Sequence, residues 1–169
     1  NIPDTPGIED VDYMTSADVL DATAFPDSGI VMGFGYVGME MAPYLSEAGE
    51  MDLTVIEHDA RPLDEADPEL GDAALEIYRE EFGIDVRTGV YEETLEPTDD
   101  GGVRLTLDDG ETVEADQLFC FTGRRPNIEG LNLEAAGMTA EPGWVEDTMR
   151  ARGNDRAFVV GDANGKEPI

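Results

Sequence analysis

Gly33-Phe34-Gly35-Tyr36-Val37-Gly38 places glycines at the spacing GxGxxG, and Glu57 follows nineteen residues after the last of them. The chemistry open to this set is the binding of a diphosphate and a ribose. Gly33 permits a tight turn, Gly35 lets backbone approach a pyrophosphate, and Gly38 lets a helix pack closely on a strand. The unpaired N–H groups and the dipole at the helix start then hold the anion. Glu57 can accept hydrogen bonds from an adenosine ribose, and its charge opposes a 2′-phosphate, so the expected cofactor is NAD in preference to NADP. Arg61, four residues further on, tempers that exclusion. The plainer alternatives are a tight turn that holds nothing and a solvated strand-end acid.

The remaining reactive residues offer less. His58 is the only histidine and Cys120 the only cysteine; the first reads as a solvent-facing strand end and the second as a small buried hydrophobe. Glu40 stands in the first turn of the expected helix, where the macrodipole favours a carboxylate. Arg124 and Arg125 follow a strand and can pair with nearby acids, in a functional or a merely structural role. No His/Cys cluster supports a metal, and Ser16, Ser28 and Ser46 have no triad partners around them. No catalytic residue and no metal ligand is therefore assigned.

The elements that must position the glycine loop are legible from periodicity. Ile30-Val31-Met32 reads as a strand before the glycines, Met39, Met41, Ala42 and Leu45 supply a helical stripe over residues 38–48, and Leu53-Thr54-Val55-Ile56 is a second strand ending at Glu57. This βαβ unit requires parallel strands. A short helix is signalled after Thr15-Ser16, and another over residues 68–82, with Asp67 as N-cap, Pro68 in the first turn and Gly83 as the stop. A strand at residues 84–87 leads into β segments at 89–96, 103–108 and 111–115, which the turn signals Asp99-Asp100-Gly101-Gly102 and Asp108-Asp109-Gly110 fold into an antiparallel meander. Residues 117–122 form a further strand, and residues 157–160 an isolated one. The fold class expected is α/β: a Rossmann-like parallel sheet with helices plus a three-stranded antiparallel meander.

Charge narrows the partners. Ten Lys and Arg against forty Asp and Glu leave a formal charge of −30 over 169 residues, a field that repels nucleic acid and anionic membranes. The acids are spread between apolar segments and 40% of residues are hydrophobic, which argues for a folded protein and against disordered tails. A surplus of surface carboxylate suits concentrated salt, where self-repulsion is screened, so a halophilic source is expected. The lone cysteine and the lack of a long apolar run point to a soluble, cytoplasmic chain.

The order of motifs resembles the flavoprotein disulfide reductases, in particular the dihydrolipoamide dehydrogenase and mercuric reductase group. It is carried by Ile8-Glu9 after Pro6-Gly7, Thr15-Ser16, the GFGYVGME of residues 33–40, Thr54-Val55-Ile56-Glu57, Asp67-Pro68-Glu69, the FTGRRPN of residues 121–127, Gly130-Leu131 and Val160-Gly161-Asp162-Ala163. The resemblance implies an NAD-binding domain over residues 18–123, a border of an FAD-binding domain over residues 1–17, and a return towards it over residues 124–169. It implies that residues 33–38 cradle the NAD pyrophosphate, Glu57 the ribose and Val90 the adenine edge, that Gly123 and Glu40 lie near the nicotinamide end, and that Asp162 serves the FAD of the parent enzyme. The family's FAD glycine motif, cysteine pair and dimerisation domain have no counterpart here. The chain is accordingly expected to be part of a longer oxidoreductase, binding NAD(H) without catalysis of its own. The remaining alternatives are an NADH-dependent mercuric, thiol or peroxide reductase and a non-enzymatic nucleotide-binding module. The link over residues 49–53, one residue longer than is usual in the family, is expected to shift Glu57 slightly. Residues 157–160, left without a host sheet, are expected to pack on the NAD domain or on a second copy.

Overall fold

The computed structural model describes residues 1–63 and 66–165. Two compact units divide at Gly123, and each is considered by itself. In the first, β1 (Tyr13–Met14), β2 (Ser28–Met32), β3 (Asp52–Glu57), β4 (Asp85–Thr88) and β8 (Gln117–Cys120) form a parallel five-stranded sheet in the order β1-β8-β2-β3-β4. A second, antiparallel sheet is built from β5 (Glu92–Pro97), β6 (Val103–Leu107) and β7 (Thr112–Ala115). This is the α/β architecture expected from the sequence.

Alternation along the strands explains why both faces of the parallel sheet are buried. Val31 pairs with Val55 and Phe119, and Ile30 with Leu118; successive residues point to opposite faces. Val31, Val55, Val86 and Phe119 join one core with Ala42, Leu45 and Leu75 from the helices. Ile30, Met32, Ile56, Leu118 and Cys120 join another with Leu95, Val103, Leu105, Leu107 and Val113 from the meander. Each such aliphatic side chain stabilises the fold by roughly 1.5–3 kcal/mol on full burial.

The helices follow their capping signals. Thr15 and Asp18 close a capping box at the start of α1 (Ser16–Asp21). Asp67 accepts the N–H of Glu69 at 3.0 Å to open α3 (Pro68–Glu80). α2 (Tyr36–Pro43) begins two residues before the expected stripe and passes at Pro43 into a π turn, Tyr44–Ala48; a proline cannot donate to the regular ladder, and wider turns accommodate the loss.

Residues 1–17, expected as a flank, pack within the first unit. Pro6 accepts the N–H of Leu95 at 2.8 Å, and a Cβ on Gly7, at φ +90°, would lie 1.9 Å from the Leu95 carbonyl oxygen.

The second unit, from Arg124 on, gathers Met138, Trp144, Val145 and Ala151 in a small core. The strand expected at residues 157–160 is replaced there by a single antiparallel bridge, Arg150 to Phe158.

Candidate functional site

The three glycines of the loop are present for different reasons. Gly33 follows β2 at φ +93°, and a Cβ there would lie 2.8 Å from the Phe121 carbonyl oxygen; a Cβ on Gly38 would lie 2.1 Å from the carbonyl oxygen of Gly33. Both are demanded by the fold itself. Gly35, at φ −73°, would meet nothing within 4 Å. Its side-chain direction opens on space, which is the room a ligand needs to approach the backbone. α2 starts there without a side-chain cap, and its first intrahelical bond is Met39 N–H to Gly35 at 2.9 Å. The N–H groups of residues 35–38 thus form the uncapped helix start, which together with the dipole suits an anion.

Glu57 does more than end β3. Its Oε2 accepts the N–H of Phe34 at 2.7 Å and its Oε1 the N–H of Asp59 at 3.0 Å, so the carboxylate fastens the glycine loop to the next strand. A carboxylate has about four acceptor sites, and these two bonds leave one on each oxygen for a further donor. The Glu57 carboxylate stands within hydrogen-bond reach of the glycine loop. Val90 is half-buried and donates its N–H to the Glu57 carbonyl at 3.4 Å, beside the same strand end.

Phe34 belongs to the loop through its backbone. Its side chain is fully buried, with its ring edge-on to Tyr78 at 4.8 Å, and its N–H is already committed to Glu57. It shapes the loop from within and offers no side chain to a ligand. Tyr36 and Glu40 are exposed and Val37 is half-buried. Tyr78 donates its hydroxyl to the Met39 carbonyl at 2.5 Å; burial, and secondarily the charge of Glu40, hold its pKa above the ordinary phenol value. Gly123 follows β8 at φ +87°, two residues past the Phe121 carbonyl that Gly33 touches. Asp162 lies on a 3₁₀ turn, Gly161–Asn164, of the second unit.

Arg61 is engaged by Asp72 at 2.5 Å. Cys120 is buried, and burial, reinforced by Glu92 and opposed by the N-terminal charge, pushes its thiol up to about 12. Sequence reasoning missed the contact of His58 with Glu92 and its ring stacking on Tyr91. The signal was faint, a single histidine beside Glu57. Among the described residues no cluster could hold a metal, and no helix is long and apolar enough to cross a membrane.

A family model described as pyridine nucleotide-disulphide oxidoreductase matches residues 1–168. A mercuric reductase of Bacillus cereus is 34% identical over 165 residues, covering 95% of this chain and 26% of that protein. A dihydrolipoyl dehydrogenase of Halobacterium salinarum is 32% identical over 169 residues, covering 94% and 35%. The solved structure of the HOCl-induced flavoprotein disulfide reductase RclA from Escherichia coli superposes with a TM-score of 0.86 at 22% identity, covering 100% of this chain and 39% of that one, which speaks for the fold. The chain thus spans between about a quarter and two fifths of the proteins it matches.

Proposed function

The chain belongs to the pyridine nucleotide-disulphide oxidoreductase family, and from that premise we propose that residues 18–123 are the NAD(H)-binding domain of a flavin-dependent disulfide oxidoreductase resembling dihydrolipoamide dehydrogenase. In the parent enzyme the chemistry supplied by the dinucleotide and FAD together is hydride transfer. The residues of this chain bind and orient. The N–H groups of residues 35–38 take the diphosphate, Glu57 takes the ribose with the acceptor sites left after it has pinned the loop, and Val90 borders the adenine. Glu40 and Gly123 stand towards the nicotinamide end. Asp162 would serve the FAD of the parent, whose FAD-binding and dimerisation domains are this chain's expected partners, in the cytoplasm of a halophile.

The observation that carries this reading is the contrast among the glycines. Gly33 and Gly38 are filled by the protein's own backbone, and Gly35 opens on space at an uncapped helix start. A turn with no ligand would explain the first two and leave Gly35 without a reason. Titration of the purified chain with NADH and NADPH in molar salt tests the proposal: NADH should bind more tightly, and equal affinity would remove the role given to Glu57. The relatives named mercuric reductase support a second reading, in which the parent reduces a mercuric ion with NADH; the same domain serves both.

A further inference from the structure

Glu92 is an acid on the apolar side of its sheet. Leu95 pairs with Leu105 and Glu92 with Leu107, and the register slips between Glu92 and Thr94. Leu105 and Leu107 are two residues apart and share a face. The bulge therefore places Glu92 on the same face as Leu95, although three residues separate the two; in a regular strand that odd spacing would send Glu92 to the opposite face. Its side chain is only 4% exposed, and its charge is felt at the buried thiol of Cys120.

A buried carboxylate is costly unless it has a partner. Here the partner is His58, whose Nε2 must donate because a carboxylate only accepts. The His58 ring in turn stacks on Tyr91, with centroids 4.5 Å apart and planes 27° apart. His58 directly follows Glu57 and Tyr91 directly follows Val90, and Val90 and Glu57 are joined by backbone at 3.4 Å. The two rings stand together at the strand end that carries the ribose carboxylate. Their side chains keep an open aspect, with His58 46% exposed as a side chain and Tyr91 51% exposed overall.

We propose that Glu92 is a positioning residue: by gripping His58 from the buried side, it fixes the His58–Tyr91 pair as a shelf on which an adenine ring stacks. The proposal rests on the dinucleotide reading of the glycine loop and adds to it a device for the base. Flat bases stack on aromatic side chains with gains of roughly five- to 150-fold in affinity, and that gain depends on the platform being held in place before the ligand arrives. The bulge explains how a chain crowded with surface acids puts one of them inside, where its carboxylate is shielded from water while the imidazole it grips stays half open.

Calorimetric titration with ADP-ribose and with NADH, NMR titration with nicotinamide mononucleotide, and thermal unfolding test it together. Glu92→Leu should weaken ADP-ribose and NADH about tenfold, leave the mononucleotide unchanged, and keep or raise Tm, because an apolar residue replaces a buried charge. Glu92→Gln keeps an acceptor for His58 and should restore most of the affinity, a rescue that a merely structural role does not explain. Wild-type affinity for ADP-ribose in a folded Glu92→Leu variant would overturn the proposal. Should that variant unfold, Tyr91→Ala, exposed and outside the cores, decides: an unchanged affinity for ADP-ribose overturns the shelf. If the wild-type chain binds neither ADP-ribose nor NADH, the dinucleotide reading itself falls and the shelf with it; if wild type binds and the variants bind equally, only the shelf falls.

Discussion

Gly35 and Gly38 stand three residues apart and should respond to substitution in opposite ways. A side chain at Gly35 enters open space at an ordinary φ, so Gly35→Val should fold with little change in Tm and lose at least tenfold in NADH affinity, read by calorimetric titration. Gly38→Ala pushes a methyl to 2.1 Å from the Gly33 carbonyl oxygen and should cost about 1–3 kcal/mol of stability in denaturant unfolding. Cys120 makes a third case. Its thiol is raised from 9.0 to about 12, so the folded state holds the proton more tightly than the unfolded chain does. That contribution is complete below pH 9 and is lost as pH rises towards 12. The thiol should accordingly resist a disulfide reagent at pH 8 while folded and react promptly in denaturant.

At the scale of elements, α3 depends on its start. Asp67 caps Glu69 and Pro68 fixes the first turn, while Gly71, Ala74 and Leu75 bury one face. Asp67→Ala should remove about 1 kcal/mol, seen as a lower denaturant midpoint at unchanged slope. The glycine loop is bound more firmly, since β2 leads into it, Glu57 fastens it to β3 and the end of β8 closes on Gly33. Glu57→Ala should therefore do two things at once: weaken NADH binding and loosen the loop, so that amide exchange at Phe34 speeds up relative to β2. A variant that loses affinity with Phe34 as protected as before would separate the two roles and contradict the tether.

The whole molecule carries a formal charge of −30 on a fold that has few cations to offset it. Arg61, Arg87 and Arg104 each meet carboxylates, and such exposed pairs contribute little individually. Most of the surplus is left to be screened by solvent ions, whose screening length falls from roughly 10 Å at 0.1 M salt to 3 Å at 1 M. Tm should rise by several degrees between those two concentrations of KCl. A flat profile would remove the case for a halophilic source.

The sequence by itself determined the parallel βαβ unit, the meander, the start of α3 and the glycine turn between β2 and α2. Each of these is written in near-neighbour chemistry: alternation in Val31 and Val55, turn pairs such as Asp109-Gly110, the cap at Asp67, the glycine spacing of residues 33–38. Only the tertiary structure decided that Phe34 is core, that Glu57 spends two of its acceptor sites on backbone, that residues 157–160 form a single bridge, and that Glu92 faces inward to hold His58. These depend on which strands lie side by side and in what register. A one-residue bulge at Glu93 reverses the face of the residue before it, and periodicity along one strand carries no record of its neighbour.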